Sequence, residues 1–336
     1  MSTPVLPCTP EAMAYTVAEA ARVLRRGGLV AFPTETVYGL GANALDPAAV
    51  ARIFTAKGRP STNPLIVHVA DRAAVSRVAT AWPVEAAQLA DRFWPGPLTL
   101  VLPRHPDVPE VVTGGGPTVA VRIPAHAIAL RLLRECGLPL SAPSANRSTA
   151  LSPTRAEHVL RDLDGKVDLI LDGGPTPGGI ESTVVDVTVR PARLLRPGLI
   201  DPAALEAVLG PIERVGRSAS ANETALPSPG MLSRHYAPRA ALECVPRNAA
   251  AGRVGALRNA GLLVGWLTCD PVEVGAAPPD VLVRLLPADP LGYAALLYAS
   301  LHDLDAAGVD RIVVTDPPGG DAWLAIHDRL RRAAHP

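Results

Sequence analysis

Lysine is nearly missing from this chain. Of 32 basic residues only Lys57 and Lys166 are lysines, and arginine supplies the rest. Aromatics are scarce as well, with three Phe and 4% Phe, Trp and Tyr together, so aliphatic side chains and Ala must fill the cores. Net charge is absent too. Thirty-two acidic residues balance the 32 basic ones, which argues against a protein held on nucleic acid by global charge and leaves only a local basic groove. The four cysteines, Cys8, Cys136, Cys244 and Cys269, show no C-x-x-C spacing. They indicate neither zinc nor a disulfide framework and read as thiols in a reducing cytosol. No apolar run reaches the roughly 18 residues of a membrane span, and MSTPVLPCTPEAM lacks a basic and then apolar leader. The expectation is a soluble, cytoplasmic protein with no membrane partner. The phosphate-binding pattern G-x-x-x-x-G-K-[ST] is missing, so any nucleotide must be held by other means.

What is present suits two domains. The chain has 336 residues, 48% of them hydrophobic. Thr9, Pro10 and Glu11 predict a helix start, running to about Arg26 and ended by Gly27-Gly28. LVAFPT (29–34) reads as a buried strand followed by the turn-rich TETVYGLGAN, and Asp46-Pro47 caps a helix over about 47–56. LIVHVA, LTLVL, VAVRI, LPLSA, VDLIL and STVVDV follow as strands, with helical patterns near 84–93, 126–136 and 154–163 between them. Strands alternating with helices predict an α/β layer structure. Residues 211–238 lose apolar periodicity and read as a linker or lid. Beyond them LECV, LLVGWL, VLVRLL and RIVVTD, with helices near 289–307 and 321–333, predict a smaller α/β unit. The expected division is therefore 1–210, 211–238 and 239–336.

Chemistry-bearing residues gather in a few loops. KGRPSTNPL (57–65) places the rare Lys57 two residues before Arg59, in a turn stiffened by Pro60 and Pro64. Lysine acts as a point charge and arginine as a fork for phosphate oxygens, although the stretch taken alone reads more readily as a solvated charged loop. PTETVYGLGAN follows a strand, where α/β proteins place ligands. The serine-rich SAPSANRSTALSPT (141–154) lets backbone N–H groups approach an anion closely. Arg122 sits inside an apparently buried strand and needs an anion, either an internal Asp or Glu or a substrate carboxylate. This inventory of cations, hydroxyls and amides suits charge neutralisation of a phosphate-bearing substrate better than covalent catalysis.

Together, KGRPSTNPL, PTETVYGLG, SAPSAN with its following Ser-Pro, ESTVVD, LRPG and SPGMLSRHYAP resemble the threonylcarbamoyl-adenylate synthase family in its long, two-domain form. The resemblance implies a twisted mixed-sheet, YrdC-like catalytic domain, joined by a long linker to a smaller Rossmann-like α/β domain. It implies that L-threonine, bicarbonate (or CO2) and ATP are converted to threonylcarbamoyl-AMP and diphosphate. Other proteins, a threonylcarbamoyl transferase complex, would then pass the product to tRNA, so that tRNA is an indirect partner. By the same resemblance Thr36, His68, Arg122, Ala142 and Ser182 lie on the threonine side, with Arg122 taking the carboxylate. Arg59, Asn63, Thr118, Ser144, Ser152 and Arg196 match ATP-contacting positions, and Lys57 would face the phosphates. Lys57 and Arg59 are the expected catalytic cations. His235 and Tyr236 match a segment that folds over the nucleotide, although Leu232-Ser233 departs from the family's usual Lys-Tyr. Mg2+ is expected with the triphosphate rather than from a ligand motif, no protein-bound zinc is expected, and the metal ligands are unknown. The expected assembly is a monomer or weak dimer. Two rivals stand beside this reading: an RNA-binding module, against which the zero charge and few aromatics speak, and a carbamoyl-adenylate enzyme for another acceptor.

Overall fold

The computed structural model describes residues 2–214 and 236–335. The described chain divides into two units. One holds residues up to 148 together with 153–177 and 181–214; the other holds 149–152, 178–180 and the residues from 236 onward.

The first unit is built on one mixed sheet. In chain order its strands are β1 (Val5–Pro7), β2 (Val30–Phe32), β3 (Gly39–Asn43), β4 (Ile66–His68), β5 (Leu98–Pro103), β6 (Thr118–Arg122), β7 (Leu140–Ser141), β8 (Leu169–Asp172), β9 (Thr183–Asp186), β10 (Arg193–Arg196) and β11 (Glu213–Arg214). Their order across the sheet is β1-β8-β2-β3-β7-β4-β6-β5-β9-β10-β11. Pairs such as β4 with β6 are parallel, while β2 with β3 and β5 with β6 are antiparallel.

The core of this unit follows from helix periodicity. Val17, Ala20, Ala21 and Leu24 on one helix pack with Ile128, Leu132 and Leu133 on another, over Phe32, Leu140 and Leu171 of the sheet. Each such buried Val, Leu, Ile or Phe side chain contributes about 1.5–3 kcal/mol. The first of these helices spans Met13–Arg25, later than the expected start at Thr9. Residues 10–12 form a turn, with Thr9 Oγ1 accepting only a long bond from Ala12 N–H at 3.3 Å.

One strand lies where a turn was expected. GLGAN (39–43) is β3, and Gly41 shows why glycine is required there: a Cβ would come 2.8 Å from Phe32 Cε1 on β2. The helix after it runs Pro47–Lys57. Asp46 caps it by accepting from Ala48 and Ala49 N–H, and Gly58 closes it with φ near 60°. The same Asp-Pro start recurs at Asp201-Pro202, Asp270-Pro271 and Asp289-Pro290, each Asp accepting a first-turn N–H.

The second unit carries a parallel sheet of β12 (Ala241–Val245), β13 (Val264–Thr268), β14 (Leu282–Leu285) and β15 (Arg311–Thr315), in the order β12-β15-β13-β14. Helices Arg247–Asn259, Pro271–Gly275 and Pro290–Ala306 make the crossovers, and Leu324–Ala333 follows the last strand. This is the expected Rossmann-like arrangement. All four cysteines are free. Among the described residues no helix is long and apolar enough to cross a membrane.

Candidate active site

Three neighbouring strands deliver the first cluster. β4 pairs with β6 so that His68 stands beside Arg122, and with β7 so that Val67 stands beside Ser141. Ala142 N–H then donates to Ile66 O at 2.9 Å. The loop after β2 approaches the same place. Thr34 Oγ1 accepts from the N–H groups of Thr36 and Val37 and lies 2.8 Å from Thr36 Oγ1, which fixes this turn.

Arg122 is 3% exposed, so its guanidinium is dry. Nε donates to Gly96 O at 3.1 Å and Nη1 to Thr36 Oγ1 at 2.9 Å. Nη2 faces Glu35 Oε1 at 2.6 Å. The anion beside Arg122 in this structure is an internal glutamate. His68 is buried edge-on to Phe32, with ring centroids 6.3 Å apart. Burial first, and the Arg122 charge second, push its pKa down to about 3. It is a neutral imidazole at physiological pH.

The basic turn forms a second cluster. Lys57 is the last residue of its helix and is buried, not solvated. Its ammonium donates to the backbone carbonyls of Ser144 at 2.6 Å and Asn146 at 2.5 Å. Burial, and then the Arg59 charge, lower its pKa well below the usual lysine value. Lys57 therefore ties the helix end to the serine-rich loop, a different task from the expected direct phosphate contact. The fit has a physical reason: a slim ammonium can enter between two carbonyls, whereas a planar guanidinium is too broad. Arg59 is also buried and folds back on its own turn, donating to Asn63 Oδ1, Asn63 O and Pro64 O. The Asn63 amide nitrogen has no hydrogen-bond partner among the described residues.

A third cluster joins ESTVVD to LRPG. Arg196 donates from Nε to Ser182 O and from Nη2 to Ser182 Oγ, both at 3.1 Å, and Ser182 Oγ lies 2.8 Å from Thr99 Oγ1. Gly198 allows this approach, since a Cβ there would sit 2.3 Å from Thr183 N. Thr118 opens β6 and Arg122 ends it. Being four residues apart, they project from the same face about 13 Å from one another, room for a ligand longer than an amino acid.

Ser152 and Tyr236 belong to the second unit. The Ser152 carbonyl faces His302 Nε2 at 3.1 Å. Tyr236 is buried between Tyr298, at 5.8 Å between centroids, and the Arg329 guanidinium, 5.0 Å from the ring centroid. It thus anchors the end of the segment within that unit, where the sequence suggested a nucleotide contact. His235 lies outside the described residues. Glu35, Ser141 and His126 are polar residues of the first cluster that the sequence reading did not single out; only the carboxylate in PTETV signalled one of them.

The described residues contain no group of three or more His, Cys, Asp or Glu side chains placed to hold a metal ion. What the clusters offer is a neutral imidazole, hydroxyls and backbone amides around buried cations. That arrangement suits binding and orienting an amino acid and a phosphate ester.

Known proteins resemble the chain along its length. A family described as telomere recombination matches residues 22–198, and the C-terminal domain of threonylcarbamoyl-AMP synthase matches residues 200–335. A threonylcarbamoyl-AMP synthase of Pyrococcus abyssi is 45% identical over 322 residues, covering 94% of this chain and 93% of its own. One from Bacillus subtilis is 46% identical, covering 95% and 92%. A crystal structure of Pyrococcus abyssi Sua5 complexed with L-threonine superposes with a TM-score of 0.91 at 42% identity, covering 99% of this chain and 97% of that one.

Proposed function

The chain belongs to the threonylcarbamoyl-AMP synthase family, and from that premise we propose how its residues divide the work of making threonylcarbamoyl-AMP. The reaction joins L-threonine, bicarbonate or CO2, and ATP, and releases diphosphate. Arg122 takes the threonine carboxylate, and Thr36, His68, Ala142 and Ser182 complete the amino-acid side. The observation that carries this reading is the dry Arg122 guanidinium, held by Thr36 beside a histidine that burial keeps neutral. A neutral imidazole adds no charge to repel the substrate ammonium.

Arg59, Asn63, Thr118, Ser144 and Arg196 form the nucleotide side. Arg196 touches Ser182 and so couples the two halves of the site. Lys57 acts as a positioning residue, by holding the carbonyls of Ser144 and Asn146 so that the loop's amides and hydroxyls face the phosphates. Threonine's bound ammonium first gives up a proton, consumed as bicarbonate is dehydrated to CO2. The amine then attacks CO2 and releases a second proton to solvent, and a carbamate oxygen attacks the α-phosphorus as diphosphate leaves. Both partners in that second step are anions, so fixed cations nearby lower the barrier by cancelling their repulsion. Mg2+ enters as part of the nucleotide substrate and neutralises phosphate charge.

The protein works in the cytoplasm as a monomer or weak dimer, and its product passes to a transfer complex that meets tRNA. Purified full-length protein given Mg2+ and ATP should release diphosphate only when L-threonine and bicarbonate are both added. Release that ignores threonine, or none at all, would sink the proposal.

A further inference from the structure

Glu35 has no part in the assignments above, and its surroundings are unusual for a carboxylate. Its side chain is 11% exposed, and neither oxygen has a hydrogen-bond partner among the described residues. Oε1 lies 2.6 Å from Arg122 Nη2, yet that nitrogen also makes no hydrogen bond there. The other donors of Arg122 are engaged with Gly96 and Thr36. Attraction between the charges is present, while the hydrogen bonds that normally offset desolvation of a buried pair are not. Nearby atoms share this condition. Nδ1 of His68, Nδ1 of His126 and Oγ of Ser141 are buried without partners among the described residues, and His126 feels the Glu35 charge.

We propose that the Arg122–Glu35 pair is an exchange site for the zwitterionic head of an amino acid, in which the substrate's carboxylate displaces Glu35 from Arg122 and its ammonium then takes Glu35 as counter-ion. This rests on the reading that Arg122 receives the substrate carboxylate. The exchange is electroneutral: one cation and one anion in a dry site accept one anion and one cation. A single imperfect ion pair becomes two, and the partnerless Glu35 Oε2 acquires a donor. An acid without the amino group would place two carboxylates against one guanidinium, and like charges in a low-dielectric site repel strongly. Glu35 therefore selects amino acids over hydroxy acids and other plain carboxylates.

The test is calorimetric titration of the full chain with L-threonine and with its hydroxy-acid analogue, 2,3-dihydroxybutanoate, in which a hydroxyl replaces the amino group. Wild type should bind threonine at least about 100-fold more tightly than the analogue. In Glu35→Gln, threonine affinity should fall at least about 30-fold, the loss typical of removing one member of a buried charge pair, while the analogue binds more tightly. Glu35→Asp keeps the charge and should keep the preference for threonine, which also covers the case of an unstable Gln variant. If Glu35→Gln moves both ligands in the same direction, or leaves threonine unchanged, the exchange is wrong. If Arg122→Ala leaves threonine affinity intact, the underlying carboxylate assignment fails, whatever Glu35 does.

Discussion

Buried charge is handled differently in the two units. In the second, Asp328 is 4% exposed and meets three arginines: Arg329 at 2.8 Å, Arg331 at 2.7 Å and Arg332 at 3.1 Å. Glu273 there accepts from Thr268 and Thr315, and Thr315 Oγ1 accepts from Trp266 Nε1. These networks are closed. In the first unit the buried pair Arg122–Glu35 belongs to a cluster in which atoms of His68, His126 and Ser141 have no hydrogen-bond partner among the described residues. Leaving such atoms without partners costs about 1–3 kcal/mol each, a cost that a folded protein carries where a ligand makes up the difference. Partnerless buried atoms occur elsewhere too, at Tyr293 Oη in the second unit and at Arg104 Nε and Thr176 Oγ1 in the first; what sets this cluster apart is that an ion pair stands among them.

The comparison can be broken by mutation. Arg122→Ala should cut threonine-dependent diphosphate release at least about 100-fold, on the scale of truncating a buried charge contact. Melting temperature should fall less than in Asp328→Ala, because the Glu35 side chain left behind is 11% exposed whereas Arg329 is 0% exposed. Asp328→Ala should do the reverse. It removes the carboxylate from the buried Arg329 and should cost about 3–5 kcal/mol of stability, with no change in the threonine concentration needed for half-maximal rate in protein that stays folded. Equal effects of both variants on substrate use would erase the distinction.

Lys57→Ala comes next in size. Two carbonyls lose a donor worth about 0.5–1.5 kcal/mol per bond, so denaturant unfolding and ATP affinity should both weaken. An unchanged unfolding midpoint would mean that the lysine does not brace the loop. The effect that is smallest at neutral pH is the titration of His68. The folded pKa of His68, about 3, lies below the value near 6.5 that it has when unfolded. Between those values the unfolded chain binds a proton that the folded chain refuses. Stability should therefore be fully present above about pH 6.5 and decline as pH falls toward 3, by at most about 1.4 kcal/mol per pH unit from this group. His68→Gln should flatten that part of the curve; a curve identical to wild type would place the ring in water.

Much of this was legible in the sequence, for physical reasons. Apolar runs and helical spacing located VAVRI, LTLVL and RIVVTD as strands because burial dictates those patterns, and the Asp46-Pro47 cap fixed a helix start. Arg122 was identifiable as a buried cation in need of an anion because such a cation is costly anywhere. Its partner was not identifiable, since the meeting of Glu35 with Arg122 depends on how β2 and β6 are ordered in the sheet, which no local pattern encodes. GLGAN looked like a turn because glycine permits many conformations, and only the Phe32 ring opposite explains Gly41 in a strand. Lys57 reads in the sequence as a charge facing phosphate, and its burial follows from carbonyls 87 and 89 residues away. The role of Tyr236 likewise depends on Arg329, at the far end of the chain.

The most direct test of the claim that the unsatisfied cluster is the amino-acid site is nitrogen-15 NMR of imidazole-labelled full-length protein, titrated with L-threonine. Signals should be assigned through single His→Gln variants. The His68 and His126 resonances should shift at saturating threonine, while His302 and His327, already engaged with the carbonyls of Ser152 and Pro318, should stay in place. Movement of His302 or His327 with His68 and His126 unaltered would contradict the account.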